Sequence, residues 1–462
     1  MKYISTRGLA PKLSFEGAML SGLARDGGLY VPETFPKFTK TQIRALQGKP
    51  YQDVAFAVCS KFTAGSIPAG ELKRMIAEAY GTFDHAAVAP LKQLGSNQFL
   101  LELFHGPTLA FKDVAMQLLS RMMDWSLAKH KRRAVIVGAT SGDTGGAAVS
   151  AFEHNQNASL FILHPHGLVS DVQRRQMTTV KSASIYNIAI EGNFDDCQAI
   201  VKALFNDLAF RDGVGLAGVN SINWGRIMAQ IVYYFYAGLA LGAPDRQISF
   251  CVPSANFGNM FAGLVAKRMG LPVDRFIVAT NSNDILDRTL KTGRYDVTGV
   301  HPTISPSMDI QVSSNFERLV YLANKRDTSA VRAAMGSLMQ SGSFTLKSPA
   351  LKAIRAEFDS GATSEAETLA MMARALADMG ELVDPHTAVG LHVALQHKLK
   401  SPLVTLATAH PAKFPDAVHN ATGKDAHLPS RLSHLLTAPE SFTILPNSAS
   451  AVKEFILSHG KR

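Results

Sequence analysis

Cysteine is scarce in this chain: there are three, Cys59, Cys197 and Cys251. They are an odd number, far apart and without ligand-like spacing, which excludes a disulfide framework and a cysteine-based zinc site and implies a reducing compartment. Charge is also thin, at 18% of residues, and a hydrophobic fraction of 46% excludes a disordered polyelectrolyte. No long apolar run is present. The most lipid-like stretch, Ile231 to Ala243, falls short of the roughly twenty residues that span a bilayer, so it reads as a buried helix. The beginning, Met1-Lys2-Tyr3-Ile4-Ser5-Thr6-Arg7, has no apolar core after its charges, and a cytoplasmic location is expected. There is no internal repeat and no low-complexity tract.

What is present is a net charge of +10 over 462 residues, enough chain for two or three domains. The basic residues are scattered. Only Lys129-His130-Lys131-Arg132-Arg133 forms a cluster, and it follows a predicted helix, where cations complement the macrodipole; no nucleic-acid or membrane partner is expected. A modest positive field favours small anionic substrates.

Residues 1–94 are mixed and punctuated by Arg25-Asp26-Gly27-Gly28, Pro32 and Pro36, and read as an N-terminal accessory region. From about residue 95 strand, loop and helix alternate. The strands are expected at Phe99 to Phe104, Ala134 to Val137, Leu160 to Leu163, Ile185 to Ile190, Ile248 to Val252 and Leu403 to Ala407. Helices are expected from about Ala147 to Glu153, Arg226 to Leu241 and Met260 to Met269. Such alternation implies α/β architecture with mainly parallel sheets covered on both faces. The expected division is a smaller α/β domain at 95–215 and a larger one at 216–462, with a helical insertion at about 285–380.

Ligands of open parallel sheets bind where strands end, so the loops after strands are the candidates. In Phe104-His105-Gly106-Pro107-Thr108-Leu109-Ala110-Phe111-Lys112-Asp113, a strand turns into an amphipathic helix whose stripe includes Phe111, Val114, Ala115, Leu118, Leu119, Met122 and Met123. At about 100° per residue Lys112 falls on the edge of that stripe, with Asp113, Ser120 and Asp124 on the polar face. An amine there is open to partial desolvation, which lowers its pKa as Schiff-base or general-base chemistry requires; the bland alternative is a lysine whose stem packs and whose ammonium stays in water. Thr140-Ser141-Gly142-Asp143-Thr144-Gly145-Gly146 offers hydroxyls and backbone N–H groups to an anion at a helix N-terminus. It matches neither the dinucleotide nor the P-loop glycine pattern, although its composition also suits a simple capped turn. Pro253-Ser254-Ala255-Asn256-Phe257-Gly258-Asn259 is a second such loop, and two of them suggest a ligand with two anionic groups, either a cofactor phosphate with a substrate carboxylate or both ends of a phosphorylated amino acid. Thr408 ends a late strand.

These strings carry a resemblance. His105 to Asp113 is similar to the pyridoxal-phosphate lysine motif of the threonine synthase family, and Gly138 to Gly145 to that family's substrate loop. Ser14 to Ala18 with Gly22 to Pro32, Asn220 to Trp224, and Thr408 to Phe414 also match, all in order. One departure is Ala255, where the family more often has glycine; alanine there demands φ below zero or strain. The resemblance implies the type II (tryptophan synthase β-like) fold, with pyridoxal 5'-phosphate between two α/β domains. It implies a lyase converting O-phospho-L-homoserine and water into L-threonine and phosphate by γ-elimination and β-addition of water, acting as a monomer or homodimer.

By the same resemblance Lys112 is the Schiff-base lysine and shuttle base. Ala255, Asn256, Phe257, Gly258 and Asn259 cradle the cofactor phosphate, and Thr408 meets the pyridine nitrogen. Thr140, Ser141, Asp143 and Thr144 serve the substrate carboxylate, Asp143 by orienting the loop or holding an ammonium, since an ionised carboxylate only accepts. Arg226, Lys413 and His105 are candidates for the leaving phosphate, Arg226 preferred for its fork geometry. No metal is implied. The readings left open are a phospho-lyase or serine/threonine dehydratase of the same fold, a nicotinamide oxidoreductase using Gly138 to Gly146, and a nucleic-acid binder.

Overall fold

The computed structural model describes residues 1–460, and its strands gather into two principal sheets. The larger runs, edge to edge, through Phe358–Ala362, Val273–Thr280, Ile248–Pro253, Leu403–Ala407, Gln98–Glu102 and Leu91–Gln93. All its neighbours are parallel except the last pair, where Leu91 to Gln93 turns back against Phe99 to Leu101. The smaller runs through Thr443–Pro446, Ile185–Glu191, Ala158–Pro165, Ala134–Ala139 and Leu216–Ala217, parallel throughout. The strands are buried runs of Val, Ile, Leu and Phe, as sheets covered on both faces require.

The expected parallel α/β architecture is therefore present, but the strands divide differently from the expected domains. Gln98–Glu102, placed with the smaller domain, pairs with Leu403–Ala407 in the larger sheet. Leu91–Gln93, assigned to the accessory region, is that sheet's edge. Leu216–Ala217 and Thr443–Pro446, placed in the larger domain, complete the smaller sheet. Sequence order cannot reveal this, because three of these strands pair with partners 81 to 305 residues away, and Leu91–Gln93 follows Gln98–Glu102 into the larger sheet. Segment 285–380 is likewise no detached insertion: Phe358–Ala362 within it pairs with Phe276 to Thr280.

The helix Lys112–Lys129 packs against Asp143–Phe152, Trp224–Ala240 and Ala69–Tyr80. Enclosed by neighbours on several sides, it has no fully polar face, contrary to expectation. Asp113 and Ser120 are buried, and only Asp124 is partly open, accepting from the Gln156 and Asn157 N–H groups. The apolar run at 231–243 lies largely in Trp224–Ala240, as expected of a buried helix. Among the described residues no helix is long and apolar enough to cross a membrane. The basic cluster does more than cap: Lys129 and His130 both pair with Glu16 of the N-terminal region.

Candidate active site

The turn before Lys112 is built by its own sequence. Asp113 Oδ2 accepts from Thr108 N at 2.8 Å and Oδ1 from Thr108 Oγ1 at 2.6 Å. A Cβ on residue 106 would lie 2.5 Å from the Asp113 side chain, so only glycine fits. Phe111 N donates to Thr408 O at 2.8 Å and His410 N to Leu109 O at 3.0 Å, which ties this turn to the end of the Leu403–Ala407 strand. Lys112 thus opens its helix at the carboxyl edge of two adjacent parallel strands.

Its side chain is 12% exposed, and the ammonium lies 3.6 Å from Asp143 Oδ2 and 3.4 Å from Ser307 Oγ. Burial brings the Lys112 pKa down to about 8; Asp143 opposes the fall, while the Arg226 and Lys413 cations add to it. Desolvation of the amine, expected from the stripe edge, is present, though it comes from enclosure by segments distant in sequence, among them those carrying Asp143, Arg226, Ser307 and Lys413. Asp143 is the hub. Its carboxylate meets Lys413 Nζ at 2.8 Å and accepts from Gln173 Nε2 at 2.9 Å and Ser307 Oγ at 3.0 Å. Lysines 413 and 112 hold it well below the usual carboxylate range against the burial that would raise it.

The loop around Asp143 starts its helix earlier than expected, at Asp143 and not near Ala147. Thr140 Oγ1 accepts from both Gly142 N and Gly145 N at 2.9 Å, capping the turn from within. Gly142 has φ 145° and would bring a Cβ to 2.5 Å from Gln173, so glycine is required twice over. Among the described residues the N–H groups of Ser141, Asp143 and Thr144 find no acceptor, and neither do the hydroxyls of Ser141 and Thr144. That leaves an anion cradle. The Thr140 hydroxyl oxygen is already occupied by the cap.

In the second loop no N–H group from Ala255 to Asn259 finds an acceptor among the described residues. The Asn259 side chain is spent on the loop itself, bonding Pro253 O, Ser254 Oγ and Met260 N. Ala255 does not take positive φ; the left-handed residue is Phe257, at φ 59°. Alanine at 255 therefore carries no left-handed strain.

The three cations expected at an anion separate clearly. Lys413 is fully buried, and its three donors go to Asp143, Thr108 O and Gln176 Oε1, so none is left for a phosphate. His105 pairs with Glu102 at 2.7 Å and stacks near His85, on the strand side of the turn. Arg226 is 2% exposed; Nη1 donates to Val219 O at 3.1 Å, Nε has no partner, and it forms no ion pair among the described residues. Burial takes its pKa down to about 10. A buried guanidinium without a counter-charge is costly, and an anionic ligand relieves that cost. Thr408 is 6% exposed, and its hydroxyl makes no bond to protein.

Besides Gln173 and Gln176, Ser307, His386 and Asp384 lay outside the sequence reading. Ser307 comes from a short 3-10 turn, Pro306–Met308, and its N–H donates to His386 Nε2 at 3.2 Å. His386 Nδ1 in turn meets Asp384 Oδ2 at 2.7 Å, so that with Nε2 accepting from Ser307 the Nδ1–H is the donor to the carboxylate. Asp384-Pro385 does carry a readable helix-start signal, but nothing local announces that the next histidine supports Ser307.

Comparison with known proteins finds relatives along the whole chain. Family models match residues 2–80 (threonine synthase N terminus), 84–344 (pyridoxal-phosphate dependent enzyme) and 387–456 (threonine synthase, C-terminal). The chain is 53% identical to a threonine synthase from Pseudomonas aeruginosa, over 100% of this chain and 99% of that one. The structure of a pyridoxal-phosphate-bound threonine synthase from Brucella melitensis superposes with a TM-score of 0.98 at 58% identity, covering both chains completely. The yeast threonine synthase structure gives 0.92 at 38% identity, covering 99% and 98%.

Proposed function

The chain belongs to the threonine synthase family of pyridoxal-phosphate-dependent enzymes, and from that premise we propose how its residues turn O-phospho-L-homoserine and water into L-threonine and phosphate. The residues fit the cofactor. Lys112 is a buried amine with a pKa near 8, able to meet an aldehyde in its neutral form near physiological pH. The unpartnered N–H groups of Ala255 to Asn259 suit a phosphate at the start of the Gly258–Arg268 helix, and the unbonded Thr408 hydroxyl suits a ring nitrogen. When bound, pyridoxal phosphate supplies the electron sink that holds carbanionic charge between proton transfers.

The protein's own work is binding and proton movement. The N–H groups of Ser141, Asp143 and Thr144, with the Ser141 and Thr144 hydroxyls, take the substrate carboxylate. Thr140 shapes that loop through its capping oxygen. Lys112 lifts the proton from the substrate α-carbon and serves the adjacent carbon in turn, while Asp143 and Ser307 hold its ammonium between transfers. Arg226, a buried guanidinium with an unbonded Nε and no ion pair among the described residues, is the group offered to the leaving phosphate. Lys413 has a structural part, carrying the positive charge that keeps Asp143 ionised.

The observation that carries this reading is one buried, depressed-pKa amine held by the same carboxylate that opens an anion-binding loop. Incubating the purified protein with O-phosphohomoserine should release threonine and phosphate in equal amounts. Release of 2-oxobutyrate without threonine would identify a phospho-lyase and overturn it.

A further inference from the structure

Segment 303–318 reaches the carbonyl groups of the Ala255 to Asn259 loop. Ser313 Oγ donates to Ala255 O at 2.5 Å. Asn315 donates twice to Asn256 O, from its backbone N at 3.0 Å and from Nδ2 at 3.0 Å. A peptide unit is planar and trans, so its C=O and N–H point in opposite directions. Holding the Ala255 carbonyl therefore aims the Asn256 N–H the other way, and holding the Asn256 carbonyl aims the Phe257 N–H likewise. The left-handed backbone of Phe257, unfavourable for a bulky residue, is what such a fixed peptide on its N-terminal side sustains.

The brace is anchored from behind. Asn315 is fully buried and its Oδ1 accepts from Arg318, whose guanidinium also donates to Tyr30 O and Ile222 O. Ser313 N donates to Tyr295 Oη at 2.8 Å. We propose that Ser313 and Asn315 are positioning residues that point the Asn256 and Phe257 N–H groups at the cofactor phosphate without touching it. This rests on the reading of Ala255 to Asn259 as the phosphate cradle.

The test titrates the full-length, cofactor-stripped chain with pyridoxal phosphate and, separately, with pyridoxal, which lacks the phosphate. Ser313→Ala should weaken pyridoxal phosphate binding roughly tenfold, about one hydrogen bond's worth, with pyridoxal affinity unchanged. Ser313→Cys, nearly the same size but a poor donor, should behave alike, and Ser313→Thr should restore affinity. Equal losses for both ligands, or none, overturn the brace. If the unaltered chain binds pyridoxal as tightly as pyridoxal phosphate, the cradle itself is wrong; if it prefers the phosphate form and Ser313→Ala keeps that preference, only the brace is wrong.

Discussion

Asp143→Asn removes one charge and almost no volume from the centre of the site. Lys413 is fully buried and among the described residues ion-pairs only with Asp143; Thr108 O and Gln176 Oε1 accept from it but carry no charge. Breaking a buried pair from one side costs about 3–5 kcal/mol, because an uncompensated charge stays behind. Set against the about 5–15 kcal/mol that separates folded from unfolded domains, that is a severe loss. Lys413→Met should cost less, since Asp143 keeps Lys112, Gln173 and Ser307. The double variant should be more stable than Asp143→Asn alone, with a coupling of about 1–3 kcal/mol. Urea unfolding of the four proteins at neutral pH, followed by circular dichroism, reads all of this. The sign with pH follows from a depressed carboxylate. Its contribution is fully present above the unfolded value of about 3.9 and is lost as pH falls through the lower folded value. The advantage over Asp143→Asn should therefore be flat from pH 5 to 7 and shrink only in stronger acid. An Asp143→Asn protein that unfolds at the same urea concentration as the unaltered chain would refute the hub.

Arg226→Gln removes a buried charge that has no protein counter-ion, so the cofactor-free fold should be as stable or more stable. In contrast, kcat/KM for O-phosphohomoserine should fall thirty- to hundredfold, about 2–3 kcal/mol for a lost charge-assisted contact, as steady-state kinetics would show. The rate at which the stripped chain takes up pyridoxal phosphate should rise with pH and level off above about 8, where Lys112 is neutral, rather than above the 10.4 of an ordinary lysine; stopped-flow absorbance follows it. In Asp143→Asn that profile should move to lower pH, because the carboxylate is what raises the amine's pKa.

Much of this site is written locally and could be read without coordinates. The Gly106-Pro107 turn, the amphipathic run after it and the two strand-to-helix loops each declare themselves within a dozen residues, and the structure places all of them at strand ends. What stays hidden is set by partners distant in sequence. A helical wheel put Asp113 on a polar face because it could not see Thr108 folding back onto the carboxylate or the helices packed around Lys112–Lys129. The split of strands between sheets depends on pairings such as Val404 with Phe99. Lys413 looked like a phosphate ligand, yet its three donors are consumed by groups 237 to 305 residues away. Ser307, Ser313 and Asn315 sit in a polar, turn-rich stretch with no periodicity, so only the fold brings them to the amine and the cradle.

The claim on which everything else depends is that Lys112 carries the cofactor. Borohydride reduction of the freshly purified, cofactor-supplemented protein, followed by peptide mass analysis, tests it directly. The account predicts a pyridoxyl adduct on the peptide containing Lys112, absent in Lys112→Ala. An unmodified Lys112, or an adduct on another lysine such as Lys413, would contradict it.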